Sequence, residues 1–352
     1  MKRLLYILPL LFAALVSCER EIPYNGEYED PKLVIQTSLC AGTDNFTCYV
    51  DRSYFFLEQT NNKDKETIEN PTIEIQSAQN KSLQIVSRVQ DGNKHTVYLS
   101  HPLQANDTIR LIVSHPQYGT AVAEEILMPA FEPTLKTSVW EPKKKQCRFV
   151  FDFPTQYERP DLVLYMKAFL HLTVRTVRIE ERNDSILSCD TTDHKTKIEG
   201  FGSANKVFDT ERNKLNEHSQ MYDGKVLYFN NAYLSEKGVE VFVKPIAYAY
   251  DTTSIRTYQD GRKITIYSTY MLDSCVFYFE AQSPTKTIFN NSMDAYRGLN
   301  DDYYDEMDLG AILSDLIGME EPVAVYSNVE GGYGIVSSVT RHTVIAKEIQ
   351  KE

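Results

Sequence analysis

Thiols, imidazoles and carboxylates are the side chains best suited to chemistry, and the 352-residue chain carries six Cys, seven His and 49 Asp and Glu. Their spacing points to few known mechanisms. None of His95, His101, His115, His171, His194, His218 and His342 sits in an H-E-x-x-H pattern, and no two cysteines form C-x-x-C. Neither a helix-borne zinc site nor a thioredoxin-like pair is therefore indicated. Cys189-Asp190-Thr191-Thr192-Asp193-His194 gathers metal-capable groups, but at a spacing that matches no standard ligand set, and it reads as a polar loop. The acidic run Asp301–Asp308 lacks the spacing and the glycine of a calcium loop. No G-x-S-x-G elbow and no P-loop occurs. Two-carboxylate hydrolysis needs no local signature, so a hydrolase with an unrecognised carboxylate pair stays open as an alternative. No cofactor and no metal is expected.

One cysteine stands apart. Lys2 and Arg3 precede a 13-residue apolar run, Leu4–Val16, which ends in Leu15-Val16-Ser17-Cys18. The run is too short to cross a bilayer, which takes about 20 residues. It fits the core of a signal peptide over 1–17. A small residue directly before a cysteine resembles the bacterial lipobox. That implies a diacylglycerol on the Cys18 thiol, cleavage before it, and a palmitate-type chain on the freed amino group. Two or three acyl chains on one residue anchor stably where a single one does not. Residues 18–30, with Pro23, Gly26 and several acids, read as a tether between anchor and body. Cleavage would remove Lys2 and Arg3 and take the net charge from −12 to −14. With no basic excess to replace phosphate counterions, a nucleic-acid partner is not expected.

Five cysteines remain, an odd number. Cys40 and Cys48 lie at the facing ends of two apparent strands and form a possible disulfide; two small buried residues are the alternative.

The elements that must position any site are mostly strands. Thr108–Ser114 alternates Ile109, Leu111 and Val113 with polar partners, the pattern of a half-buried strand. Six more short segments of this kind, separated by turn residues, lie between Lys32 and Met128 and predict an immunoglobulin-like β-sandwich over 31–130. Pro129-Ala130-Phe131-Glu132-Pro133 reads as a stiff connector. Residues 131–352 predict a larger β-rich sandwich or barrel-like domain with a short helical insertion. Residues 183–223 are polar and weakly periodic, which predicts loops and a short helix near 210–218. Helices are expected near 272–282 and over 308–317, the latter from the stripe Leu309, Ile312, Leu313, Leu316 and Ile317. The 23 Tyr could pave sheet faces or build a ligand platform, with Tyr222, Tyr228, Tyr233, Tyr303 and Tyr304 as candidates.

The stretch Glu321-Pro322-Val323-Ala324-Val325-Tyr326-Ser327-Asn328-Val329-Glu330-Gly331-Gly332-Tyr333-Gly334-Ile335 resembles the closing segment of a family of Bacteroidota outer-membrane lipoproteins catalogued only as a domain of unknown function. Pro31–Ile35 and Tyr49–Ser53 fit the opening strands of that family. Val336 departs from its usual Phe. The resemblance implies a cell outer-membrane lipoprotein, held through Cys18 and exposed at the surface, often encoded beside a TonB-dependent receptor. It assigns no catalytic residues. The expected role is a non-enzymatic accessory or ligand-binding partner of such a receptor in nutrient uptake, with its ligand unnamed. A structural or adhesive surface lipoprotein is the alternative. Tyr326, Ser327, Asn328, Gly331, Gly332 and Gly334 are read as a structural motif, because glycines there suit a bulge or tight turn and neither a following helix nor a lysine completes a phosphate cradle.

Overall fold

The computed structural model of the chain describes residues 30–54, 67–141, 143–144, 146–243, 252–301, 325–347 and 349–351. The signal peptide, Cys18, nearly all of the tether and the helix expected over 308–317 lie outside the described residues. Strands dominate. They are β1 (Leu33–Leu39), β2 (Asn45–Arg52), β3 (Thr72–Ser77), β4 (Ile85–Asp91), β5 (Lys94–Leu99), β6 (Thr108–His115), β7 (Gly119–Ile126), β8 (Thr134–Glu141), β9 (Gln146–Asp152) and β10 (Val163–Arg182). Then come β11 (Ser185–Glu199), β12 (Phe201–Ser203), β13 (Leu215–Asn216), β14 (Met221–Gly224), β15 (Leu227–Tyr228), β16 (Val239–Val243), β17 (Thr252–Thr257), β18 (Arg262–Gln282), the helix α1 (Pro284–Asp301), β19 (Tyr333–Ala346) and β20 (Gln350–Lys351).

The first seven strands pair as β1-β2-β5-β4 and β3-β6-β7. This is the pairing of a seven-stranded immunoglobulin sandwich, with strands one, two, five and four on one sheet and three, six and seven on the other. Period-two alternation drives it: Leu33, Ile35 and Leu39 of β1 point inward against Ile109, Leu111 and Val113 of β6. The larger sandwich stacks β11-β10-β18-β19 on β13-β14-β12-β16-β9-β8-β20. Both layers are open among the described residues, so the barrel-like alternative gives way to a sandwich.

Phenylalanine fills the larger core. Phe149 and Phe151 meet Phe277 edge-to-face at ring distances of 4.8 and 4.9 Å, and Phe131, Phe153, Phe229 and Phe279 extend the cluster. Tyr49, Tyr98, Tyr267, Tyr278 and Tyr333 are exposed instead. A buried hydroxyl needs a hydrogen-bond partner and a benzyl ring does not, which favours Phe inside and Tyr outside; Tyr157, buried in the core with its hydroxyl donating to the Pro129 carbonyl, and Phe169, facing out, depart from that sorting.

β19 joins the two sandwiches. Its first half pairs in parallel with β1, Val34 opposite Tyr333 through Leu39 opposite Ser338. Its second half pairs antiparallel with β18, Gln282 opposite Val339 through Cys275 opposite Ala346. The sandwich expected over 31–130 thus takes an eighth strand from the far end of the chain. The glycine motif makes this possible. Gly334 has φ +111°, and a Cβ there would strike the Ile35 carbonyl; at Gly331, φ +73°, a Cβ would strike the Thr120 carbonyl. The Asn328 amide caps the same turn, donating to the Val336 carbonyl (2.8 Å) and accepting from the Val336 N–H (3.0 Å). Ser327 Oγ accepts from the Val329 N–H at 3.2 Å, and the Tyr326 N–H donates to Ser292 Oγ of α1 at 3.0 Å. Asn328, Gly331 and Gly334 thus shape the backbone of this turn.

Three expectations are corrected. Residues 272–282 are strand, not helix: Cys275, Phe277, Phe279 and Ala281 alternate inward between two partner strands, and β-branched and aromatic side chains favour that pleated setting. Residues 183–223 are largely the returning strand β11 and short strands, because the long strand β10 offers a complete ladder partner to a polar sequence; near 210–218 there are turns and the short β13. Cys40 and Cys48 are both free. The ladder places Cys48 opposite Thr37, three positions before Cys40, and the buried Cys48 thiol has its pKa pushed up to about 12 by desolvation.

Opposite Cys48 on the other side lies His95, fully buried, with neither ring nitrogen hydrogen-bonded. Burial and then the Arg88 charge lower its pKa to about 4.

Two outcomes follow. Gly334→Ala should cost more than 2 kcal/mol, because backbone must move at the joint, whereas Gly42→Ala, at φ +85° with open space around it, should cost about 1 kcal/mol; urea unfolding of each variant checks this. Because the folded value of His95 lies below the ordinary 6.5, stability present above pH 6.5 is lost as pH falls toward 4. His95→Leu should flatten that acid limb and raise stability by about 1–3 kcal/mol, as read from melting temperature against pH.

Candidate functional site

The outer face of the β10-β18-β19 sheet, walled on one side by α1, carries an array of ring and charged side chains. Along β10 the inward residues are Leu164, Met166, Ala168 and Leu170, so the alternate positions Tyr165, Lys167 and Phe169 face out. The register sets Tyr228 and Glu280 on either side of Tyr165, Tyr278 beside Lys167, and Arg341 beside Glu280. Two contiguous hollows lie over these residues, about 280 Å³ against Arg212, Gln282, Asn290, Asn291 and Asp294, and about 440 Å³ over Phe169, Tyr278, Glu280, Arg341 and Thr343. Tyr165 and Lys167 line both, which makes them one open groove.

The helical wall has a clear local cause. Ser283 caps α1, its Oγ accepting from the Lys286 N–H, and Pro284 takes the first helical position, where a missing N–H costs nothing. The helix was not foreseen, although Ser-Pro after an apolar strand is a start signal.

A hydrogen-bonded network crosses the groove floor. Asn290 donates to Gln282 (3.1 Å), Gln282 donates to Glu280 (2.9 Å), and Arg341 Nε donates to the other Glu280 oxygen (2.9 Å). Burial alone would raise the Glu280 pKa, but the Gln282 and Arg341 hydrogen bonds, the Arg341 charge and the Tyr165 hydroxyl outweigh it and hold the carboxyl below its ordinary value. Glu280 is thus a fixed anion that orients its neighbours and is poorly suited to donate a proton. Burial and the Glu280 charge raise the Tyr165 phenol.

Cations lie over the rings. Arg212 sits 5.1 Å from the Tyr228 centroid, Lys167 5.7 Å from Tyr165, and Lys197 3.7 Å from Phe169. Arg341 and Lys197 also have carboxylate partners, Glu280 and Glu199. Arg212 instead hydrogen-bonds Asn291 Oδ1 at 3.2 Å, and among the described residues no carboxylate lies within ion-pair distance of Arg212 or Lys167.

Of the tyrosines picked out from sequence, Tyr228 lies in the groove. Tyr222 lies elsewhere, donating to Asp209 at 2.7 Å, and Tyr233 lies beneath Lys206. Tyr303 and Tyr304 lie outside the described residues. The groove's other members were missed, although the alternation in Tyr165–Leu170 was there to be read. Cys189, Asp190, Asp193 and His194 do not converge: they alternate across the two faces of β11, and Asp193 pairs bidentately with Arg175. Among the described residues no group of three or more His, Cys, Asp or Glu could hold a metal ion.

A second hollow of about 510 Å³ lies at the junction of the sandwiches, lined by Glu124, Glu125, Arg159 and Ser283–Thr285. Glu124 and Glu125 point to opposite faces of β7 and do not form a facing pair. Glu125 is buried against the start of α1. Desolvation raises its pKa to about 7 against hydrogen bonds with Thr285 and Ser283.

A family model described as a domain of unknown function, DUF4249, matches residues 19–344. The chain belongs to this family. No curated protein matches. Among solved structures, one titled "Tandem Ig repeats of Dlar" aligns with 70% of this chain and 98% of its own, at 10% identity and a TM-score of 0.20. So loose a superposition carries no argument, and the immunoglobulin-like description of this DUF4249 chain rests on its strand order.

Glu125 gives a testable pH dependence. Its folded value lies above the ordinary 4.5, so the stability it confers is complete below pH 4.5 and declines as pH rises through about 7. Glu125→Gln should remove that decline and raise the melting temperature at pH 8 by a few degrees, with little change at pH 4.5.

Proposed function

We propose that this DUF4249 chain is a cell-envelope lipoprotein, held to the outer membrane through acyl chains on Cys18, and that it works as a non-enzymatic accessory of a TonB-dependent receptor in nutrient uptake. One observation carries the docking part of this reading. The far halves of β10 and β18, with β11 and β17 at their edges, continue past the sandwich core as a four-stranded arm. Every residue of β17 is exposed and nearly all of β11 is too, including Ile186, Leu187 and Ile255. No second layer covers the arm among the described residues.

A bare sheet of this length gains little from its own packing. Its ion pairs, such as Arg175–Asp193 at 2.9 Å, are solvent-exposed and contribute little to stability. Its free edges and exposed apolar side chains suit pairing with another protein. The anchor and acidic tether would set the body at a membrane surface, where a receptor barrel is the natural neighbour.

The test is affinity purification of the tagged full-length chain from solubilised outer membranes. A receptor β-barrel should co-purify with the wild type and fall several-fold with Ile186→Asp or Ile255→Asp. Recovery of no barrel by a correctly lipidated, folded protein overturns the reading, and recovery of further copies of this chain alone favours the adhesive alternative. Cys18→Ala should leave the protein unlipidated and move it out of the membrane fraction.

A further inference from the structure

We infer that the groove over Tyr165, Lys167, Arg212 and Tyr228 is a binding site for an acidic oligosaccharide, one that presents a carboxylate among neutral hydroxyls. The inference rests on the accessory reading for its setting, and on groove chemistry for its ligand. The chain has 49 acids against 37 Lys and Arg, so a cation here would ordinarily find a carboxylate nearby. Among the described residues, two cations lining one groove have no carboxylate within ion-pair distance. Each instead rests on a tyrosine ring, which holds the charge in place without neutralising it. An anionic group arriving between them exchanges water for two charge-assisted hydrogen bonds, the stronger class.

The rest of the lining fits hydroxyls. Asn290 and Asn291 use only part of their capacity within the protein, and each amide both donates and accepts. Thr287 adds a hydroxyl at the same wall, and Thr343 another at the far end. Tyr278, 45% exposed and edge-on to Phe169 at 5.4 Å, offers an apolar surface for the carbon face of a sugar ring. Asp294 and the paired Glu280 face the same groove and disfavour a ligand of uniformly high charge density, which argues for isolated carboxylates on a hydroxyl-rich chain over a polyphosphate. The groove is open and continuous across both hollows, so it suits an extended chain.

The test is calorimetric titration of the full-length protein with tetramers of galacturonate, glucuronate and mannuronate, each against its methyl ester, with a tetraglutamate peptide alongside. At least one free-acid tetramer should bind, at least tenfold more tightly than its ester and than the peptide. Lys167→Gln and Arg212→Gln should each weaken binding fivefold or more, while melting temperatures stay at the wild-type value. Binding of none of the three acids overturns the inference. So does equal affinity for ester and acid, preference for the peptide, or indifference to both cation variants. The Lys167→Gln protein should still recover a receptor barrel from membranes. Saccharide binding without any barrel would sink the accessory role alone, and barrel recovery without saccharide binding would sink this inference alone.

Discussion

The arrangement depends on one strand serving two masters. β19 closes the immunoglobulin-like sandwich as a parallel neighbour of β1 and, without a break, becomes the antiparallel neighbour of β18 in the larger sandwich. Its side chains also catch the connector: Ser338 Oγ accepts from the Met128 N–H at 2.8 Å, and Thr340 Oγ1 accepts from the Phe131 N–H at 3.2 Å. Phe131 is thereby seated, fully buried, in the aromatic cluster, with Tyr157 at 4.9 Å. A chain of short loops would let two sandwiches drift. Here a continuous ladder spans both, and a parallel strand nearly 300 positions from its partner makes folding of the first sandwich depend on the last segment of the chain.

The same ladder builds the groove. Tyr165, Glu280 and Arg341 are in register across three strands, so their spacing is that of the sheet, about 4.8 Å from strand to strand. The sorting of aromatics matters as much. Phe277 and Phe279 occupy the inner face of the layer whose outer face bears Tyr165 and Tyr278, and Phe149 and Phe151 meet them from the opposing layer. The abundance of both residue types serves two faces: Phe supplies most of the core rings, and most of the outward rings on this layer carry a hydroxyl that can meet water and cations. That surface is held by rigid strands, which spares much of the ordering cost a loop-borne site would bear.

Much of this was legible in the sequence, and the limits have physical causes. The immunoglobulin-like region could be read because its strands alternate and its turns carry Gly, Asn and Pro; Ile109, Leu111 and Val113 announce a buried face. Gly331 and Gly334 carry the turn signal of their residue type, and their positive φ angles use it. β18 was misread because a 21-residue strand is far longer than the usual five or six, so its apolar end resembled a separate helix. β11 was missed because both its faces meet water, which erases the period-two signal. The groove was missed for a deeper reason. Tyr165 and Tyr278 lie more than a hundred positions apart, and only the β10–β18 register brings their strands together.

α1 then ties ligand site to joint. Its first residues pack where the sandwiches meet, with Ser283 bonded both to β19, through the Ser338 N–H, and to the Glu125 carboxyl. Its next turns present Thr287, Asn290 and Asn291 to the groove. Its Ser292 hydroxyl receives the Tyr326 N–H, where the chain returns toward the glycine motif. A helix held at its start by both sandwiches and at its middle by the returning chain cannot rotate independently of either. The junction and the amide wall of the groove are therefore built from one helix, fixed at Ser283 and at Ser292.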